Sequence, residues 1–191
     1  MKVGITGGIG SGKSYVCRLL TGKGYPVYSC DDEAKRLMQE SGEIRRQLIE
    51  LIGDEAYIGG ELNRTAIAQY LFKNKNNAEN INHIVHPAVR KDMESWYKRQ
   101  RPTLCFIESA ILFEAGFDSA VDVTVMVYAD DEVRLQRAMK RDNTDAQAVQ
   151  RRMAQQLPQK EVCRRADYIL HNNLNDDIDA EINKMIKFIK Y

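Results

Sequence analysis

The sequence predicts an α/β fold in which a five-stranded parallel sheet is covered by helices on both faces. Five short apolar runs have the length of buried strands, and longer segments with helical spacing of apolar residues lie between them. Strands that alternate with helices along a chain form parallel sheets with both faces covered. The length of 191 residues suits one α/β domain with insertions.

The elements follow one another in a strand–helix order. The predicted strands, three of them rich in Val, Ile or Phe, are Val3–Thr6, Pro26–Ser29, Leu104–Glu108, Val121–Ala129 and Asp167–His171. The predicted helices are Tyr15–Leu20, Ala34–Leu51, Arg64–Phe72, Pro87–Arg101, Asp131–Arg141, Ala146–Gln156 and Asp176–Ile189.

Two of the connections are longer than a strand crossover needs. Roughly seventy residues separate the second strand from the third, and most of them read as helix, which predicts an inserted helical subdomain. A second insertion lies between the fourth and fifth strands. It carries Arg134, Arg137, Lys140, Arg141, Arg151, Arg152, Lys160, Arg164 and Arg165. A solvated helix face and a phosphate-binding surface both explain such a set.

Composition excludes some functional classes. The formal net charge is +1, so the chain lacks the overall basic field typical of nucleic-acid-binding proteins. It has neither a signal-peptide pattern at Met1–Thr6 nor a run of 18 apolar residues, and we expect no membrane span. The four cysteines form no C-x-x-C pair. We interpret them as small core residues of a cytoplasmic protein.

Residues 7–14, G-G-I-G-S-G-K-S, fit the phosphate-loop pattern G-x-x-x-x-G-K-[ST] without a mismatch, between a predicted strand and a predicted helix. Glycines let the backbone approach phosphate oxygens, and the loop N–H groups join a helix N-terminus to bind anions. Lys13 is expected to bridge the β- and γ-phosphates, and Ser14 to bind Mg²⁺. The predicted nucleotide contacts here are Gly8, Ile9, Gly10, Ser11, Gly12, Lys13, Ser14 and Tyr15. The motif predicts nucleotide binding without separating kinases from ATPases or GTPases.

Acidic residues end two other strands. Asp31 and Asp32 follow the second strand, and we expect its end to lie close to the phosphate loop. A carboxylate there can orient a hydroxyl group and take its proton, although an Asp before a helix is also a good N-cap. Glu108 ends the third strand, where an acidic residue can hold Mg²⁺ or be an ordinary strand-end carboxylate.

Two basic segments are further candidates. Arg137 and Arg141 are four residues apart and share one helix face, from which both can reach a triphosphate. A solvated face paired with Asp142 and Asp145 is the alternative. His86 precedes Pro87, and a proline at the first position of a helix explains this pair without a functional role.

Several segments, in order along the chain, match motifs of a known family. Residues 6–14 match its phosphate loop, and residues 27–31 resemble its V-I-D-A-D segment. Residues 81–90 resemble L-N-x-I-x-H-P-x-V-R, and residues 108–114 resemble D-I-P-L-L-F-E. The lid residues Gln136, Arg137, Arg141 and Asp142 and the late segment Ala166–Asn173 also have counterparts. Over essentially its whole length, the chain resembles the dephospho-coenzyme A kinase family.

The resemblance implies a P-loop kinase that uses ATP and Mg²⁺ to phosphorylate the ribose 3′-hydroxyl of dephospho-coenzyme A. It implies a three-layer core of residues 1–31, 102–130 and 166–191, a coenzyme A-binding insertion of residues 32–101, and a lid of residues 131–165. The implied catalytic residues are Asp31, Lys13 and Arg141. Further nucleotide contacts are Arg137, Arg141 and Asn172, substrate contacts are His86, Arg90 and Glu114, and metal contacts are Ser14 and Glu108. We expect a monomer or a weak homo-oligomer.

The chain departs from the family pattern at a few positions. Ser29 replaces the first Asp of the D-A-D segment, which leaves Asp31 as the candidate base. Glu108 and Ala110 replace Asp and Pro, and the longer Glu can shift a metal contact made through water. Tyr15 stands where Thr is common. A kinase of another small hydroxyl compound, such as a nucleoside monophosphate, and a nucleotide-driven switch are the alternatives to this function.

Overall fold

The structure, a computed structural model, describes residues 1–74, 76–101 and 104–190, without the side chain of Phe72. The chain divides into two compact units, one made of Met1–Ser29 with Gln100–Tyr191 and the other of Cys30–Arg99. Pro102 and Tyr191, where two of the predicted core segments begin or end, lie outside the described residues. Within the described part, no helix combines the length and the apolar character that a membrane crossing needs.

The first unit contains the predicted five-stranded parallel sheet, which is confirmed. Its strands are β1 Lys2–Thr6, β2 Val27–Ser29, β5 Cys105–Glu108, β6 Val123–Tyr128 and β7 Tyr168–His171. They lie side by side in the order β2-β5-β1-β6-β7. Pairing is in parallel register throughout, and Glu108 of β5 is opposite both Ile5 of β1 and Ser29 of β2. The end of β5 therefore lies between the ends of β1 and β2.

The helices of the first unit are α1 Lys13–Gly22, α6 Asp131–Asp142, α7 Ala146–Met153, α8 Gln159–Arg165 and α9 Ile178–Lys190. One core cluster joins α1 and α9 to the strands through fully buried residues such as Val16, Val125 and Ile182. A smaller cluster packs Val162 of α8 with Met126 and Phe113. Burial of these side chains stabilises the sheet and fixes the strand ends from which the site residues project.

The second unit is mainly helical. It contains α2 Cys30–Glu40, α3 Gly42–Ile52, α4 Arg64–Lys73 and α5 Asn77–Arg99, with a short antiparallel pair of β3 Tyr57–Ile58 and β4 Glu61–Leu62. Arg36 of α2 forms ion pairs with Glu33 and Glu40 on its own helix and with Asp92 on α5. Its guanidinium therefore ties two helices of this unit together.

Two helix predictions were wrong in their bounds. The predicted helix 34–51 is two helices, because Ser41 ends the first and caps the second, its Oγ accepting a hydrogen bond from the Ile44 N–H at 3.3 Å. Pro87, expected at the first position of a helix, lies inside the long helix α5. The apolar positions of α5 that are buried, which include Ile81 and Val85, begin before the proline and continue beyond it, so packing stabilises the helix on both sides.

Strand bounds and short elements also differ from the prediction. The predicted strand 121–129 is shortened to Val123–Tyr128, because a 3₁₀ turn, Phe117–Ala120, leads into it. The β3–β4 pair and helix α8 were not predicted, since both are shorter than a periodicity pattern needs to be recognised.

Candidate functional site

The phosphate loop joins β1, which ends at Thr6, to α1, which begins at Lys13. Gly12 has a φ of 90°, and a Cβ added there would lie 2.1 Å from the Asn172 side chain, so only glycine fits. Within the described residues, the N–H groups of Gly10, Gly12, Lys13 and Ser14 have no protein acceptor. They are the first N–H groups of a helix and the loop before it, which together form an anion site.

Lys13 and Ser14 both contact Glu108. The Lys13 Nζ forms an ion pair with the Glu108 Oε1, and the Ser14 hydroxyl donates a hydrogen bond to the same oxygen at 2.8 Å. The contact follows from the fold, since Glu108 ends β5 directly beside β1. It brings together an ammonium, a hydroxyl and a carboxylate at the start of α1. A hydroxyl and a carboxylate oxygen are the hard ligands that Mg²⁺ prefers.

Cys17 lies one helical turn after Lys13 and is buried. Burial raises the pKa of its thiol strongly, and the charge of the nearby Glu108 carboxylate raises it further, against the opposite effect of Lys13. The thiol therefore stays protonated at neutral pH and is not a nucleophile. Cys17 packs in the core cluster that joins α1 and α9 to the sheet.

Asn172 connects the phosphate loop to helix α6. It directly follows β7, its side-chain amide donates a hydrogen bond to the Ser11 carbonyl at 2.7 Å, and its own carbonyl accepts one from Arg137 Nη1 at 2.8 Å. Asn172 is buried. The structure thus brings two predicted nucleotide contacts, Arg137 and Asn172, against the loop. Tyr15, a third, is exposed on α1 next to Arg18.

Sequence reasoning missed two residues that touch the loop. The Arg134 Nε donates a hydrogen bond to the Ile9 carbonyl at 3.0 Å, and the Gln156 Oε1 accepts one from the Ile9 N–H at 2.9 Å. Arg134 belonged to the basic set of the second insertion, but Arg137 and Arg141 were preferred there. Its spacing of three residues from Arg137 was a signal for a shared face. Gln156 had no comparable signal.

Arg141 is placed at the end of α6, and it is paired there. Its guanidinium donates two hydrogen bonds to Asp142, at 2.7 Å and 3.0 Å, and Arg152 of α7 donates another to Asp142 at 2.6 Å. These contacts hold the pKa of the Asp142 carboxyl well below its usual range, chiefly through the bond from Arg141. The carboxylate therefore stays charged and holds α6 to α7.

Glu114 follows β5 and accepts a hydrogen bond from the Leu157 N–H at 3.2 Å. The structure thus places this predicted substrate contact next to the segment between α7 and α8. Within the described residues, no group of three or more His, Cys, Asp and Glu side chains could hold a metal ion by itself. A divalent cation here needs oxygens from a bound nucleotide in addition to Ser14 and Glu108.

The remaining predicted site residues lie in the second unit. Asp31 is in the first turn of α2, which begins at Cys30 where β2 ends at Ser29. It is thus inside the helix rather than at an N-cap, the alternative considered from the sequence. His86 and Arg90 are one turn apart on α5. Burial lowers the pKa of His86, and the charges of His83 and Arg90 lower it further, which keeps the imidazole neutral at pH 7.

Comparisons with known proteins agree on one family. The family model of dephospho-CoA kinase matches residues 1–177. A dephospho-CoA kinase of Bacteroides fragilis is 40% identical over 190 residues, which cover 99% of this chain and 93% of the relative. A dephospho-CoA kinase of Porphyromonas gingivalis is 44% identical over 154 residues, which cover 81% of this chain and 76% of the relative.

Solved structures have the same fold. A crystal structure from Thermus thermophilus superposes with a TM-score of 0.84 at 32% identity, covering 99% of this chain and 95% of the other. A dephospho-CoA kinase from Campylobacter jejuni has a TM-score of 0.70 at 24% identity, covering 99% and 98%. A shikimate kinase from Acinetobacter baumannii, at 18% identity and a TM-score of 0.58, shares the fold alone and covers 98% and 92%.

Proposed function

Since the chain belongs to the dephospho-CoA kinase family, we propose that its phosphate loop, Glu108 and the arginines of α6 form the transfer site. The protein is an ATP-dependent phosphotransferase that acts on an alcohol group. Its reaction is the phosphorylation of the ribose 3′-hydroxyl of dephospho-coenzyme A, which yields coenzyme A. The main support for this site is that Lys13 and Ser14 both contact the Glu108 carboxylate. This contact lies beside the loop N–H groups that have no protein acceptor within the described residues.

We propose that ATP binds with its phosphates against the N–H groups of Gly10, Gly12, Lys13 and Ser14. Four donors that converge at a helix start favour the charge of the phosphates. Lys13 then directs its charge at the β- and γ-phosphates instead of at Glu108. This exchange of partners costs little, because the ammonium keeps an anionic neighbour throughout.

Mg²⁺ is part of this proposal. The Ser14 hydroxyl and the Glu108 carboxylate are already 2.8 Å apart, and both are oxygen ligands of the type that Mg²⁺ takes. The ion would neutralise charge on the phosphates during transfer. Glu108, with one oxygen close to both Lys13 and Ser14, would hold the ion on the side of the loop next to β5.

Asp31 is the proposed residue that acts on the acceptor hydroxyl. The chain leaves β2 at Ser29, which is opposite Glu108 in the sheet, so α2 starts at the carboxyl edge of the sheet, where ligands of parallel sheets bind. Three acidic residues fill the first turn of α2, where negative charge is favourable. We propose that Asp31 orients the 3′-hydroxyl and takes its proton during transfer.

We propose that the second unit binds the coenzyme A portion through His86 and Arg90, and that Glu114 contacts the acceptor from the first unit. Residues 131–165 act as the lid, with Arg137 and Arg141 on the phosphates. The acceptor is a small molecule, not a nucleic acid, consistent with the net charge of +1. We further propose a cytoplasmic monomer or weak homo-oligomer, which sedimentation of the purified protein would test.

One experiment tests the reaction. ADP release is measured with ATP and Mg²⁺ alone, then with dephospho-coenzyme A, nucleoside monophosphates and shikimate as acceptors. We expect rapid ADP release with dephospho-coenzyme A only, and a product phosphorylated at the 3′ position of the ribose. Equal ADP release without any acceptor would indicate a nucleotide-driven switch, and a preference for another acceptor would overturn the proposed substrate.

A further inference from the structure

Ile9, in the middle of the phosphate loop, has both of its backbone polar groups held by side chains of the lid segment. Its N–H donates to the Gln156 Oε1 at 2.9 Å, although the two residues are 147 positions apart in sequence. Its carbonyl accepts from the Arg134 Nε at 3.0 Å. A short glycine-rich loop has few contacts of its own, so these two bonds define where this residue sits.

Arg134 is itself fixed in place. It is only 5% exposed, and its Nη1 forms an ion pair with Asp131 at 2.8 Å. Its backbone also abuts the loop, since a Cβ added to Gly10 would lie 2.1 Å from the Arg134 carbonyl oxygen. The first turn of α6 therefore packs directly against residues 9 and 10 of the loop.

Gln156 is also held, by its neighbours in sequence. The N–H of the next residue, Leu157, donates to Glu114, which follows β5. The Gln159 side-chain amide donates to the Ala129 carbonyl, which follows β6, at 3.2 Å. Residues 156–159 are thus attached to the segments that follow two strands of the sheet, β5 and β6. The backbone around Gln156 is therefore held in place, and its side-chain amide contacts Ile9 from a fixed position.

The contact between Gln156 and Ile9 allows two functions. The Gln156 oxygen could occupy a position that a phosphate oxygen takes when ATP binds, or it could hold the loop in both states. Within the described residues, the loop N–H groups without a protein acceptor include those of Gly10, Gly12, Lys13 and Ser14 but not that of Ile9. The anion site at the start of α1 is therefore complete without the Ile9 N–H, which favours the holding function.

We propose that Gln156 is a positioning residue for phosphoryl transfer. It holds Ile9 so that the open N–H groups that follow, those of Gly10, Gly12, Lys13 and Ser14, stay directed at the phosphates of ATP. Without this bond the loop would sample other backbone conformations. Phosphate binding would then have to restrict them, which would lower the affinity for ATP. The inference rests on the proposed function of the loop as the ATP site. It goes further by assigning a loop-positioning function to a neutral lid residue.

The test compares Gln156→Met with Gln155→Met. Met has a similar length, but its thioether is only a weak acceptor for the Ile9 N–H. Gln155 is the exposed neighbour in sequence. We expect Gln156→Met to weaken inhibition by ADP about five- to tenfold, the size of one lost hydrogen bond with a stranded donor. Inhibition by adenosine, which has no phosphate, should stay within twofold, as should the KM for dephospho-coenzyme A. Gln155→Met should match the wild type in every assay.

Several results would overturn the proposal. Tighter ADP binding by Gln156→Met would mean that the glutamine competes with a phosphate. A lower melting temperature with unchanged ADP inhibition would indicate a purely structural contact. If Gln156→Met does not fold, Gln156→Leu replaces it, because Leu has no acceptor for the Ile9 N–H. Inhibition by ADP should then weaken about five- to tenfold while inhibition by adenosine stays within about twofold. Equal effects on both inhibitors would count against the inference.

A parallel Lys13→Ala measurement separates this inference from the site assignment. If Lys13→Ala keeps full transfer activity, the assignment of the loop as the ATP site itself fails. The other outcome is that Lys13→Ala is inactive while ADP inhibits the Gln156→Met variant as strongly as it inhibits the wild type. In that case only the positioning function of Gln156 is wrong.

Discussion

Lys13, at the start of α1, forms an ion pair with Glu108 at the end of β5, and Ser14 donates a hydrogen bond to the same carboxylate oxygen. Both side chains are largely buried, with about a tenth of each exposed, at 9% and 12%. A buried ammonium needs an anionic partner, and Glu108 is that partner before the phosphates arrive.

Lys13→Ala tests the ammonium. We expect the variant to lose transfer activity by at least about 10²-fold, because the positive charge matters most where charge develops on the γ-phosphate. The measurement is ADP release at saturating ATP and dephospho-coenzyme A. Lys23→Ala is the matched control, since Lys23 forms a surface ion pair with Asp179. Near-normal turnover by a folded Lys13→Ala protein would contradict the assignment of the loop.

Glu108→Gln tests the metal function. The amide keeps the shape of the side chain but removes the charge, so we expect the Mg²⁺ concentration for half-maximal activity to rise about tenfold, the effect of roughly 1.4 kcal/mol. Glu108→Asp, which introduces the residue typical of the family pattern, should stay closer to the wild type. The readout is a Mg²⁺ titration of transfer at fixed ATP. An unchanged titration for Glu108→Gln would remove Glu108 from the metal site.

Asp31→Asn separates catalysis from helix stability. Loss of a general base typically costs on the order of 10²–10⁴-fold, whereas a change in the first turn of a helix alters stability by about 1 kcal/mol or less. We expect a variant that melts near the wild type and binds ATP but turns over at least about a hundredfold more slowly. Asp32→Asn, on the exposed neighbour paired with Lys35, is the control. If Asp32→Asn is the inactive variant, the base is Asp32.

Arg141→Ala tests the lid. Arg141 should contribute to transfer through phosphate charge, so we expect kcat to fall on the order of 10²-fold with little change in the KM for dephospho-coenzyme A. Steady-state kinetics with the acceptor varied give both constants. Arg151→Ala, an exposed arginine of the same lid, should retain activity. A collapse of acceptor affinity at unchanged kcat would show that Arg141 binds the acceptor instead.

His86 predicts a pH dependence of stability. Its pKa in the folded protein lies below the ordinary value of 6.5, so the unfolded chain binds a proton more readily. Stability from this group is present above about pH 6.5 and is lost as the pH falls from there through the lowered pKa, with a slope of at most about 1.4 kcal/mol per pH unit.

Urea midpoints between pH 8 and pH 5 measure this dependence. His86→Gln should remove part of the acidic fall in the midpoint. Identical pH profiles for the wild type and His86→Gln would show that burial of this histidine does not influence folding.

Local sequence was sufficient to predict the phosphate loop and the parallel sheet, since both are encoded by short patterns. It was not sufficient to order the strands. The sequence predicts that the end of β2 lies close to the loop. In the structure β5 lies between β1 and β2, so the ends of β1 and β2 are separated by two strand spacings, about 10 Å. That order determines that Lys13 meets Glu108 directly.

The contacts that sequence reasoning missed are those between distant positions. Arg134 and Gln156 meet Ile9 across 125 and 147 residues, and no local pattern marks such pairs. The break between α2 and α3 was missed for a different reason. Apolar spacing continues through Ser41, and only the cap that its hydroxyl forms separates the two helices.

The strand order also has a consequence for how the chain folds. β1 is made first, yet its two partners are β5 and β6, which begin at Cys105 and Val123. A sheet whose central strand waits for partners so far along the chain has mostly non-local contacts and folds slowly. The contiguous unit Cys30–Arg99 has no such delay. During synthesis, we expect that unit to form while the apolar β1 remains exposed, which makes β1 the segment most in need of protection from aggregation.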